Sequence, residues 1–170
     1  MNPTASKALQ VSTPTDTTIV LTRTFNAPRR LVWEAFFDPA KMRRWMLPPP
    51  GWTTTTCVCE ARVGGSLKIA WKSEEADPAM TLQGEFTEAV PPERMVHTET
   101  MTFGGWPGSG QTVGSLVETH EFAEKGGATV MRITQVYDSK DARNGALASG
   151  MDQGMEACYK QLEAMLAQPA

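Results

Sequence analysis

The sequence predicts an α+β fold in which one antiparallel sheet packs against a long helix. Three observations carry this. Seven stretches alternate apolar and polar residues with the period of a strand, six of them consecutive and joined by short turns. Two short segments after the first stretch switch to helical spacing. The last segment, roughly residues 140 to 167, carries an apolar stripe at steps of three and four.

Each element has its own justification. Residues 1–15 are polar and rich in Thr, Ser and Pro and read as a disordered tail, ahead of a single domain over 16–168. "TTIVLTRTF" sets Ile19, Leu21 and Phe25 against Thr18, Val20 and Thr22, the first strand. In "APRRLVWEAFF" Val32 and Phe36, and Trp33 and Phe37, are i, i+4 pairs following Pro28. Asp38 and Pro39 then supply a cap and a first helical residue for a second short helix. Strands are predicted near 53–62, 66–73, 79–89, 94–103, 113–123 and 128–137, with turns such as "GG", "PPE" and "EKGG" between them. Leu147, Met151, Met155, Cys158, Leu162 and Met165 form the C-terminal stripe.

Composition narrows the function. The chain has 170 residues, enough for one domain with a sizeable core. A net charge of -3 leaves no basic footprint, so nucleic acid is not an expected partner. No stretch approaches a membrane span, and the N-terminal segment has no apolar signal region. A cytoplasmic location is expected, and Cys57, Cys59 and Cys158 suit a reducing compartment, where they read as small apolar residues. No nucleophile elbow, phosphate loop or dinucleotide fingerprint is present.

Four motifs, "FNAPRRLVWEAFFDPAKMRRWM", "VGGSLKIAW", "LQGEFTEAVPPERMV" and "GMDQGMEACYKQLEAML", together resemble the SRPBCC or START-like superfamily. Within it they are similar to the branch of the heat-shock protein 90 ATPase activator C-terminal domain. The resemblance spans about residues 17 to 167 and implies a helix-grip fold, a curved seven-stranded sheet around the C-terminal helix with an apolar cavity between them. It also brings two further readings: a cyclase, aromatase or hydrolase chemistry, as in some relatives that enclose polyketide chains, and a chaperone as partner.

The residues can be asked separately about such a cavity. Ten Met and five Trp are many for a core built on fixed rotamers. Met80, Met95, Met101, Met131, Met151 and Met155 all fall on the apolar phase of their elements, and Gly150 and Gly154 leave room beside the last helix.

The stretch "LVETHEF" is the least ordinary. Its alternate residues Leu116, Glu118, His120 and Phe122 share one face. Pairing Phe103 with Gly114, Met101 with Leu116, Glu99 with Glu118, His97 with His120 and Met95 with Phe122 opposes the chain's two histidines and two of its glutamates. Continuing to the next hairpin sets Phe122 near Thr129, His120 near Met131 and Glu118 near Ile133, which makes this the inward face; a slip of one residue would reverse it. Two opposed carboxylates on an apolar face cannot both ionise cheaply. His97, Glu99, Glu118 and His120 are therefore candidates to orient a ligand's polar group, to act as general acid and base, or to hold a metal. A satisfied structural network is the alternative. Their spacing is not a common metal signature, so neither a metal nor a cofactor is expected.

Trp45 and Trp52 flank the loop "LPPPG" and either gate an opening or form satellite core. Trp106, in "FGGWPGSG", sits on a glycine-rich tip able to close over the same opening. Arg23 shares the phase of Leu21 and Phe25, and either pairs with Glu99 or Glu118 or lies at an exposed edge; Arg29, Arg30, Arg43 and Arg44 read as solvated helix faces. The leading expectation is a monomer or homodimer that binds a small apolar or aromatic molecule. The lining would be Trp45, Trp52, Met80, His97, Glu99, Met101, Phe103, Trp106, Glu118, His120, Met131, Leu147, Met151 and Met155.

Overall fold

The computed structural model describes residues 7–75, 79–104 and 111–169. Its elements are β1 (Lys7–Thr15), β2 (Thr18–Phe25), α1 (Arg29–Phe37), α2 (Pro39–Trp45), β3 (Trp52–Cys59), β4 (Ser66–Ser73), β5 (Ala79–Val90), β6 (Arg94–Phe103), β7 (Gln111–Lys125), β8 (Ala128–Tyr137), α3 (Lys140–Ala148) and α4 (Met151–Leu166). The strands form one antiparallel sheet in the order β1-β2-β8-β7-β6-β5-β4-β3. With the helices gathered on one face, this is the helix-grip arrangement. No helix among the described residues is long and apolar enough to cross a membrane.

Two expectations are corrected. The sheet has eight strands, because Lys7–Thr15 pairs antiparallel with β2 where a tail was expected. Its polar composition and Pro14 suit an edge strand, which needs few apolar contacts on its outer side. The single C-terminal helix is two helices. Gly150 has φ +76 and ψ 24, a left-handed conformation that ends the α3 segment and starts α4. Gly154 is exposed, so it does not open space beneath the helix.

The predicted caps of the second helix hold: Asp38 Oδ1 accepts from the Ala40 amide at 2.9 Å, with Pro39 at the first helical position. Trp45 closes this corner, 2% exposed, its Nε1 donating to the Ala35 carbonyl at 2.8 Å.

One end of the space between sheet and helices is solid. Phe25, Phe36, Phe37, Phe86, Phe122, Trp33, Trp45, Met95, Tyr159 and Leu162 are all buried there, with rings meeting edge-on, as for Phe25 on Tyr159 at 5.8 Å. Arg23 lies inside this end at 2% exposure. It pairs with neither Glu99 nor Glu118: Nε meets Glu156 Oε2 at 3.1 Å and Nη2 meets Glu163 Oε2 at 3.2 Å, tying β2 to α4. Glu156 Oε2 also accepts from the Leu9 amide at 3.0 Å, which fastens β1 to the same helix.

Candidate functional site

Strands β6, β7 and β8 lie in the middle of the sheet, and their inward faces carry the polar group. The observed pairs are Met95 with His120, His97 with Glu118, Glu99 with Leu116 and Met101 with Gly114. This differs from the expected register by two residues. A shift of two moves partners along the strand but leaves every side chain on its face, so the four residues remain together inside. The β7–β8 hairpin differs by the same amount, with Phe122 opposite Met131, His120 opposite Ile133 and Glu118 opposite Gln135. Gly126 and Gly127 both have positive φ, 60 and 78, and form a two-residue turn that requires Lys125 to face Ala128.

Diagonal contact replaces direct opposition for the histidines. His97 Nε2 and His120 Nε2 are 3.3 Å apart, with rings stacked at 5.4 Å between centroids. Glu118 Oε1 lies 2.7 Å from His120 Nε2 and 3.5 Å from His97 Nε2. Its other oxygen accepts from Gln135 Nε2 at 2.6 Å, and Gln135 Oε1 accepts from the Tyr137 hydroxyl at 3.0 Å. His97 Nδ1 sits 3.1 Å from the Thr98 carbonyl. His120 Nδ1 is buried without a partner among the described residues, in a ring niche made by Phe36, Phe37 and Phe122. His97, Glu99, Glu118 and His120 are between 2% and 9% exposed, so the cluster is an interior one.

The two carboxyls are driven apart. Burial, then the Glu118 charge, push the Glu99 pKa up to about 8, which keeps it a protonated acid at neutral pH. Glu118 is buried too, but the charge and hydrogen bond of His120 and the contact with His97 outweigh burial and hold it well below the usual carboxylate range. Burial also opposes charge on both histidines. Glu118 and Glu99 overcome it at His97, whose pKa is raised. At His120 burial prevails, reinforced by the His97 charge, and its pKa is lowered.

Toward the other end of the space, the inward apolar side chains are not sealed. Met80, Leu82, Met101 and Leu116 from the sheet and Leu147, Met151 and Met155 from α3 and α4 are only half-buried. Trp52 is half-buried with its ring 6.1 Å from that of Phe103, which is 43% exposed. These two mark one rim. Met131, at 0% exposure, packs in the solid end instead of lining this space, and Trp45 is core as well. Trp106 lies outside the described residues. A groove of about 410 Å³ runs between β1 and α4, bordered by Leu9, Val11 and Glu156, and another of about 400 Å³ lies along β4, β5 and β6, bordered by Lys68, Gln83 and Thr98; neither borders the His–Glu cluster.

Three buried polar residues were missed from sequence, two of them in the cluster's hydrogen-bond network. Gln135 and Tyr137 share the phase of Met131 and Ile133, and correct pairing across the Gly126–Gly127 turn would have placed Gln135 against Glu118. Arg143 is 8% exposed on α3, one turn before Leu147, and its Nε is buried without a partner among the described residues. It could have been found from the i, i+4 spacing with Leu147.

No curated protein matches the chain. Solved structures do. A protein from Rhodobacter sphaeroides is 29% identical, with a TM-score of 0.82 over 94% of this chain and 98% of that one. Protein CV1439 from Chromobacterium violaceum is 27% identical, with a TM-score of 0.72 over 91% of this chain and 100% of that one. Ms6760 from Mycobacterium smegmatis, 21% identical with a TM-score of 0.79 over 96% of this chain and 99% of that one, shares the fold. The pattern of the "Activator of Hsp90 ATPase homolog 1-like protein" family matches residues 26–167. With the helix-grip sheet and this match over most of its length, the chain belongs to the Activator of Hsp90 ATPase homolog 1-like family.

Proposed function

We propose that the protein binds a small apolar or aromatic molecule between the inner face of β5–β7 and helices α3 and α4, its polar head against Glu99 and the His–Glu cluster. The observation that carries this reading is the contrast along one interior. The inward residues around Phe36 are sealed, whereas Met80, Met101, Leu116, Met151 and Met155 on the same inner surface keep access to solvent. Methionines there adapt to a guest of variable shape. Glu99, a neutral acid with no hydrogen bond among the described residues, is available as a donor, and Arg143, whose buried Nε has no partner among the described residues, favours a guest with an anionic group.

The test is binding of aromatic carboxylates and phenols followed by ligand-observed NMR and thermal shift. Leu116→Trp, which fills the half-buried floor, should abolish binding while the protein stays folded. Arg143→Met should weaken aromatic carboxylates by about tenfold and spare phenols, the loss expected of one charge-assisted hydrogen bond. Unchanged binding in Leu116→Trp sinks the reading.

A catalytic reading, cyclase-like or hydrolytic, draws support from the opposite shifts of Glu99 and Glu118, which suit an acid and a base respectively. The family also makes a chaperone-linked role a coherent alternative. A pull-down with purified heat-shock protein 90 that recovers no complex would reject it.

A further inference from the structure

We propose that His97, Glu118 and His120 form a site for one divalent transition-metal ion of the zinc and cobalt kind, held by Nε2 of each histidine and Oε1 of the glutamate. The proposal is independent of any organic guest between sheet and helices. Its basis is convergence: the three donor atoms lie within 4.8 Å of one another on a buried floor. Their separations are 3.3 Å between the two nitrogens, 3.5 Å from His97 to Glu118 and 2.7 Å from His120 to Glu118. Ligand bonds of about 2.0–2.2 Å in a tetrahedral arrangement space their donors about 3.3–3.6 Å apart. Two of the three edges already match. The third is a hydrogen bond, and it must open by roughly 0.6 Å when an ion replaces the shared proton, a small rotation of the carboxylate.

The facing Nε2 atoms point the same way. Two neutral imidazoles meeting through these nitrogens can place only one proton between them, whereas both lone pairs can be directed at a cation. His97 Nδ1 donates to the Thr98 carbonyl at 3.1 Å, which leaves Nε2 free as the ligand atom. Gln135 holds Glu118 by the oxygen not turned to the histidines and is itself held by Tyr137, so a second layer orients the carboxylate. His120 lacks such support, since its Nδ1 has no acceptor among the described residues, and this limits affinity. Two nitrogens and one carboxylate oxygen suit zinc or cobalt, while magnesium and calcium prefer oxygen alone. Three protein donors leave a fourth position open, the arrangement of reactive metal sites, with Glu99 on the same face two residues from His97. One ligand comes from β6 and two from β7, so the set has no contiguous metal-binding motif, although all three residues stand among the candidates read from the sequence.

The experiment uses tag-free full-length protein, stripped with EDTA and desalted, then titrated with Co²⁺ and followed by visible absorption, with Zn²⁺ added as competitor. The expected result is one equivalent of Co²⁺ with ligand-field bands of four- or five-coordination, displaced by Zn²⁺. Glu118→Gln and His120→Ala should each weaken binding by at least tenfold, Gln135→Leu by about tenfold, and the Cys57→Ser, Cys59→Ser double variant not at all. Circular dichroism in EDTA checks that each variant is folded; if His120→Ala is not, the isosteric Glu118→Gln decides. No saturable Co²⁺ binding, a thiolate-to-cobalt charge-transfer band that disappears with the cysteines, or an affinity unchanged in Glu118→Gln would overturn the assignment.

Discussion

Replacing Glu118 by Ala tests whether the cluster is an integrated network or a set of independent side chains. The carboxylate accepts from His120 at 2.7 Å and from Gln135 at 2.6 Å, both buried donors. Each donor left without an acceptor costs about 1–3 kcal/mol, so the gross loss is about 2–6 kcal/mol. Two effects reduce it: a buried charge is removed, and the space vacated by the side chain admits water to the orphaned donors. A net loss of about 3 kcal/mol follows, or a fall in Tm of about 6–12 °C for a domain of this size. Glu121→Ala is the control on the same strand. Glu121 faces outward and meets Arg94 at 3.0 Å with both side chains substantially exposed, so its loss should stay below about 1 kcal/mol. The assay is urea unfolding with EDTA present, so that no metal contributes. If Glu118→Ala costs no more than Glu121→Ala, the buried network does not hold the sheet as described.

Two further predictions concern the frame around the site. Burial works to raise the Glu156 pKa, but the Arg23 and Leu9 hydrogen bonds with the charges of Arg23 and Lys160 outweigh it and hold it below 4.5. A depressed carboxyl contributes stability above its unfolded pKa and loses it as pH falls through the folded value. The stability gap between wild type and Glu156→Gln, measured by urea unfolding, should therefore be full at pH 7 and shrink below about pH 4.5; a gap that is constant with pH would contradict the pairing with Arg23. At the helix joint, Gly150→Ala and Gly154→Ala should act in opposite directions. A side chain at the left-handed Gly150 costs about 1 kcal/mol, while Gly154, helical and exposed with nothing near its missing Cβ, should gain up to about 1 kcal/mol when replaced by alanine. Thermal unfolding of the two variants reads both signs.

Much of this arrangement was legible in the residues, for identifiable reasons. Alternation in "LVETHEF" and "MVHTETMTF" is strong enough to assign faces, and faces decide which side chains share an interior. Register was harder. The β6–β7 pairing carries an irregularity between Met101 and Thr102, and the glycine-rich connection gives no residue count from which to fix it. Across β7 and β8 the signal was present, since two adjacent glycines define a two-residue turn, and attending to it would have brought Gln135 to Glu118. Strand β1 was hidden because an edge strand can be polar, and the pairing of Arg23 with Glu156 and Glu163 because it joins residues more than a hundred positions apart. The helical stripe from Leu147 to Met165 runs unbroken through Gly150, so periodicity alone does not reveal the joint.

The interior has two walls with different freedom to change. His97, Glu118, His120 and Gln135 sit on three neighbouring central strands, where ladders on both sides hold their backbones. The opposite wall is α3 and α4, joined through Ser149 and the left-handed Gly150. Substitutions at Leu147 or Met155 can reshape the space without moving the polar groups, because among the described residues the two walls share no backbone hydrogen bond; Met151 is different, since its Sδ lies 3.9 Å from the Tyr137 hydroxyl that holds Gln135. The size of an acceptable guest and the chemistry presented to it can thus be altered separately, the first from the helices and the second from the sheet.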